Sequence, residues 1–143
     1  MLDDALRDGN RVVTMEEFRD ISPAGVVRDL PEGASCYVSI DIDALDMTLV
    51  PGCVSAEPEG MTYRNLREAL FMLAEHTEVV GFDLVEVNPQ LDVATGITSY
   101  LAAHTIVEFL GRICDQPTWA KGRDVRRERR GAADARREER NAR

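Results

Sequence analysis

A chain of 143 residues, 44% hydrophobic and 30% charged with 10 Gly and 6 Pro, has the length and composition of one globular domain, which excludes collagenous and wholly disordered classes. No apolar run approaches the ~20 residues of a membrane helix, and the acidic residues of Met1–Asp8 stand where a secretory leader needs a basic start, so the expected location is the cytoplasm, with no membrane partner. The net charge of −9 divides unevenly, with 7 basic and 21 acidic side chains over 1–119 against 10 basic and 5 acidic over 120–143, so the body suits cations and excludes phosphate-backbone ligands.

In chain order, Leu2–Asp8 reads as the end of a helix closed by Gly9, and the β-branched run Arg11–Thr14 reads as a strand. A helix follows. Ser22-Pro23 supplies an N-cap and a first-position proline, and Ala24–Leu30 continues until Pro31-Glu32-Gly33 breaks it. A strand is expected over Cys36–Ile40, running into Asp41-Ile42-Asp43, and then a Pro- and Gly-containing loop over Asp46–Gly60. Thr62 can cap the next helix, whose Leu66, Ala69, Leu70 and Leu73 follow the i, i+3, i+4, i+7 rule, ending near His76. Val79–Val87, apolar apart from Asp83 and Glu86, is expected to be a strand buried on both faces. A loop over Asn88–Thr98 precedes a final helix from Ser99 to about Ile113.

The tail 120–143 has Arg126, Arg127, Arg129 and Arg130 interleaved with Glu128, Glu138 and Glu139, and no aromatic beyond Trp119. It reads as a solvated, disordered extension, so nucleic acid is not an expected partner. Cys36, Cys53 and Cys114 form no Cys-x-x-Cys pair and are odd in number, which reads as reduced thiols.

Alternating strands and helices of this kind give an α/β fold with a parallel sheet, and ligands in such folds bind beyond the carboxyl ends of the strands. Those ends carry Asp41, Asp43 and Glu86, each followed by a long loop. On one strand, residues two apart point to the same side with Cα atoms roughly 6.5–7 Å apart, so Asp41 and Asp43 can share a cation. No Lys or Arg lies between Arg28 and Arg64 to compensate them otherwise. Capping of loop amides is the alternative use of such aspartates. His104 and Glu108, four apart on the last helix, could in principle share a metal, but a lone helical histidine more often packs or meets solvent. Asp83 has strand parity opposite to Glu86 and is expected to be hydrogen-bonded and structural.

Three acidic patterns compete for Asp41-Ile-Asp-Ala-Leu-Asp46. An EF-hand loop fails, because Leu45, Asp46 and Gly52 occupy positions that need an acid, a glycine and a glutamate. A haloacid-dehalogenase phosphotransferase fails for want of a lysine near the site, the single Lys121 lying in the tail. The third pattern extends much further. Tyr37-Val-Ser-Ile-Asp-Ile-Asp-Ala-Leu-Asp46, Val50-Pro-Gly52, Glu57-Pro-Glu-Gly-Met-Thr-Tyr63 and Gly81-Phe-Asp-Leu-Val-Glu-Val-Asn-Pro89, in this order, closely resemble the ureohydrolase family of arginases and agmatinases, over about Arg11–Ile113.

The resemblance implies a three-layer arginase-like fold, of which residues 1–119 would be the C-terminal portion, and manganese-dependent hydrolysis of a guanidino carbon–nitrogen bond with release of urea. Asp41 matches the aspartate that bridges two manganese ions, Asp43 the one that ligates one of them, and Glu86 the glutamate that pairs with the substrate guanidinium. Two such ions lower the pKa of a shared water toward neutrality. Asp46 matches a third aspartate, for which a loop-organising role is expected. The Glu57-Pro58 element is closer to agmatinases than to arginases, while Met47 replaces a usual proline and Cys53–Ala56 replaces a Gly- and Thr-rich loop. The family's remaining ligands, a histidine and an Asp-x-His-x-Asp segment, have no counterpart here, the histidines being His76 and His104 alone. The expectation is therefore a chain inactive by itself, or a non-catalytic remnant acting as an interaction module, that associates as a homo-oligomer or with a complementary N-terminal half. No catalytic base or nucleophile can be assigned.

Overall fold

A computed structural model describes residues 2–93 and 95–120; the basic extension singled out above lies, but for Ala120, outside them. Helix α1 spans Leu2–Arg7 and is closed by Gly9, whose φ of 83° suits a residue without a Cβ. The expected strand at Arg11–Thr14 does not form. Thr14 is instead the N-cap of helix α2, Met15–Val27: its hydroxyl accepts from the Glu17 amide at 3.2 Å, and Glu17 Oε2 accepts from the Thr14 amide at 2.8 Å. Arg11, rather than extending into a ladder, reaches the Val26 carbonyl and pairs with Asp29. Within α2, Ser22 leaves helical geometry at φ 61°, just ahead of Pro23, so the element is two helical segments joined at a kink. The second ends at Val27, short of the expected Leu30.

Strand β1, Ser35–Asp41, pairs in parallel with β2, Glu78–Val85, in a two-stranded sheet. Between them lie a 3-10 turn at Ile42–Ala44, a long loop, and helix α3, Tyr63–His76. Thr62 caps α3 as its position predicts, accepting from the Asn65 amide at 3.1 Å in a capping box. Helix α4, Ile97–Asp115, closes the described fold.

The pleat sorts each strand's side chains onto two faces. Val38 and Ile40 of β1 lie opposite Phe82 and Leu84 of β2, and on this face α3 and α4 cover the sheet with Leu66, Leu70, Ala74, Ala102, Phe109 and Ile113. Phe109, with no exposed surface, meets Phe82 edge to face at 5.1 Å. The other face carries Tyr37, Ser39 and Asp83 and is uncovered among the described residues, Tyr37 being 63% exposed. The expectation that β2 is buried on both faces is therefore corrected. Val79 is fully buried, but Val80 and Val85 are exposed, because the described helices pack on one side of the sheet alone.

Candidate functional site

Asp41 is the last residue of β1, and in the parallel register its partner is Val85, the last residue of β2. Glu86 is thus one step beyond the partner of Asp41, at the same end of the sheet. Asp43 is not on the strand as the two-residue spacing implied. The chain turns at Ile42, whose side chain is fully buried, and the first 3-10 residues bring the Asp43 amide back to Oδ1 of Asp41 at 3.2 Å. A tight turn rather than strand alternation places the two aspartates side by side. Glu86 in turn has a backbone φ of 68°, uncommon for a residue with a Cβ and costing of order 1–3 kcal/mol, so its surroundings must hold it there.

Asp43 responds to the other two carboxylates. Asp43 is pushed above the usual carboxylate range by partial burial first, then by its hydrogen bond with Asp41 and by the negative charges of Asp41 and Glu86. Among the described residues no arginine or histidine forms an ion pair with any of the three. The structure therefore places all three residues singled out in the sequence at one end of the sheet, with no cationic partner among the described residues.

Two loops frame them. In the first, Asp46 accepts from the amide of Thr48 at 3.0 Å and from its hydroxyl, which hold its carboxyl below the usual range. Its amide donates to the Met61 carbonyl at 2.9 Å, closing the loop at its base. Gly60 packs on this staple: a Cβ there would fall 2.6 Å from the Asp46 nitrogen. Asp46 thus organises the loop, as expected. Cys53 is buried nearby, its thiol donating to the Val50 carbonyl at 3.1 Å and raised by burial above all, with the charges of Asp43 and Asp41 adding to it. A thiol kept protonated in this way is a poor nucleophile.

The second loop and the first turn of α4 hold two residues, Asp92 and Thr98, that carry no sequence motif. Asp92, 7% exposed, accepts from the amides of Thr98 and Ser99 at 3.2 and 2.8 Å, and the fully buried Thr98 accepts from the Gly52 amide at 2.8 Å. A carboxylate five residues ahead of the helix start is too remote for the usual capping signal, which left only the Asn88–Thr98 length as a sign.

The other candidates lie elsewhere. Asp83 accepts from Tyr37 Oη at 2.9 Å and Ser39 Oγ at 2.7 Å on the uncovered sheet face, a structural use as expected. His76, at the end of α3, bonds the Leu30 carbonyl through Nε2 at 2.6 Å. His104 and Glu108 both contact the Tyr63 hydroxyl, at 2.9 and 2.6 Å, and Arg67 lies 3.8 Å from Glu108, so they join α3 to α4 as a polar cluster.

The donor set tells which cation would suit the site. Two aspartates offer hard oxygen donors of the kind manganese takes, and their uncompensated charge favours a divalent ion. Among the described residues, however, no three His, Cys, Asp or Glu side chains gather into a group able to hold a metal. The residues fit part of a manganese site.

Comparison with known proteins identifies the fold's relatives. A profile described as the arginase family matches residues 2–111. The chain is 36% identical over 118 residues to a formimidoylglutamase of Halalkalibacterium halodurans, covering 77% of this chain and 36% of that protein. It is 40% identical over 77 residues to a mitochondrial arginase of Arabidopsis thaliana, covering 54% and 22%. Among solved structures, proclavaminate amidino hydrolase from Streptomyces clavuligerus superposes with a TM-score of 0.72 at 35% identity, over 79% of this chain and 38% of that one. The matches to formimidoylglutamase and to the solved amidino hydrolase span little more than a third of those proteins' length.

Proposed function

The chain belongs to the arginase family, and on that premise we propose that it supplies one side of a ureohydrolase active centre, with Asp41 and Asp43 as manganese donors and Glu86 as the carboxylate that receives a guanidino group. The observation that carries this reading is the placement of three carboxylates, with no ion-pair partner among the described residues, at the carboxyl ends of two adjacent parallel strands. What bound manganese supplies at such a centre is Lewis acidity, which lowers the pKa of a water toward neutrality. Asp41 and Asp43 bind it. Glu86 orients the substrate, because a planar guanidinium matches the two oxygens of a carboxylate. The relatives' names cover formimidoylglutamate, arginine and proclavaminate chemistry, and the Glu57-Pro58 element supports an agmatinase-like substrate within that range.

Two aspartates leave most of the six positions around each manganese to other donors. Those donors come, on this reading, from a complementary N-terminal segment in cis or in trans, with homo-oligomerisation as a further route, and the uncovered sheet face with exposed Tyr37, Val80 and Val85 supports association. The remnant reading, an interaction module without chemistry, is favoured only by the lack of a three-donor group among the described residues. Among those residues no helix is long and apolar enough to cross a membrane, and a cytoplasmic setting is part of the proposal. Urea release from agmatine, arginine and guanidinobutyrate with manganese tests the proposal. We expect none from the chain alone, and turnover, lost on Asp41→Asn, once a segment bearing Asp-x-His-x-Asp is supplied. Reconstituted turnover that survives Asp41→Asn would refute it.

A further inference from the structure

We infer that Asp92 and Thr98 are positioning residues for the carboxylate group, acting by fastening the loop that follows Asp41 and Asp43 to the loop that follows Glu86. The inference rests on the functional reading of those three carboxylates given above, and its evidence is a closed circuit of hydrogen bonds. Asp92 binds the free amides of Thr98 and Ser99 in the first turn of α4, where Gly96 at the N-cap position offers no side chain to do so. Thr98 passes the connection on, its hydroxyl oxygen accepting from the Gly52 amide at 2.8 Å. The Gly52 carbonyl accepts from the Asn88 amide at 2.8 Å, and the Asn88 carbonyl accepts from the Asp92 amide at 3.1 Å, which returns the path to its start.

Packing supports the circuit independently. A Cβ on residue 52 would lie 2.4 Å from the Asp92 Cβ and 2.9 Å from its Cα, so the two loops approach as closely as they do because residue 52 is glycine. Asn88 is two residues beyond Glu86, whose left-handed backbone needs external restraint. The circuit supplies that restraint from the Asp43 side of the site, through Gly52. None of these residues is a ligand or reacts. Their contribution is to fix where Glu86 stands relative to Asp41 and Asp43.

Residue-resolved amide exchange on the full chain tests this without metal or substrate, so its failure is distinct from failure of the manganese and urea experiments. Thr98→Val keeps the side-chain shape and removes the acceptor. The expected result is exchange at the Asn88 amide faster by roughly tenfold, the loss of about one hydrogen bond, with displaced backbone resonances for Glu86 and Val87. Thr98→Ser restores both. Val38 and Ile40 amides in β1 stay as they were. Asp92→Asn, which retains the shape and one acceptor oxygen, gives the same pattern at smaller amplitude and serves if Thr98→Val does not fold. Unchanged Asn88 exchange in the folded variants, or a rise shared equally by β1, would overturn the inference.

Discussion

The backbone N–H of Asp43 donates to Oδ1 of Asp41 at 3.2 Å, so the turn that ends β1 holds two carboxylates together before any cation is present. The carboxyl of Asp43 is consequently raised above its ordinary value of 3.8, by burial and by its acidic neighbours. A carboxyl whose pKa is higher folded than unfolded stabilises the fold below the unfolded value and loses that contribution as pH rises through the folded one. At neutral pH without metal, ionised Asp43 is therefore a burden. Asp43→Asn should raise the thermal midpoint at pH 7 by the equivalent of less than about 1 kcal/mol, since solvent still screens a group only partly buried, and the gain should vanish below the unfolded carboxyl pKa. Calorimetric melting across that pH range checks both parts.

The core makes a larger prediction. Phe109 has no exposed surface and contacts Phe82 at 5.1 Å, linking α4 to the sheet. Phe109→Ala should cost about 3–5 kcal/mol, enough to unfold most of a marginally stable domain. Val107, on the same helix but 69% exposed, should tolerate Ser within about 0.5 kcal/mol. Urea denaturation of the two variants separates these outcomes.

A third prediction concerns alkaline pH. The Tyr63 hydroxyl is pushed up to about 12 by burial and by its hydrogen bond to Glu108, against an ordinary 10.0. Its protonated form is the one the fold favours, so that contribution is complete below pH 10 and is lost as pH rises toward 12. Ultraviolet titration of the phenolates should show a tyrosine ionising near 12 that is lost in Tyr63→Phe, while Tyr37, also raised by its hydrogen bond to Asp83, titrates late in both. The same substitution should remove part of the fall in stability over that interval.

How far the sequence led depended on whether a feature was local. β1, Thr62 as a cap and the helical period of α3 were legible because each is set by residues within a turn or two of one another. The short β-branched run ending at Thr14 misled, because a threonine followed three residues later by Glu17 is also a capping box, and the helix won. Asp41, Asp43 and Glu86 lie at one sheet end as strand ends alone predict, but the geometry expected for the first two was wrong: Ile42 goes into the core, which turns the chain and ends the strand. Parity likewise failed for Glu86, since it lies beyond β2 with a left-handed backbone. Asp92 and Thr98 were not legible, as their partners are fixed by the meeting of two loops distant in sequence.

The central claim, that Asp41 and Asp43 are cation donors and Glu86 is not, is tested most directly by calorimetric titration of the full chain with manganese. Weak binding is expected, because two carboxylates supply the donors without imidazole. That binding should be lost in Asp41→Asn and in Asp43→Asn and retained in Glu86→Gln. Tight binding that survives replacement of both aspartates would contradict it.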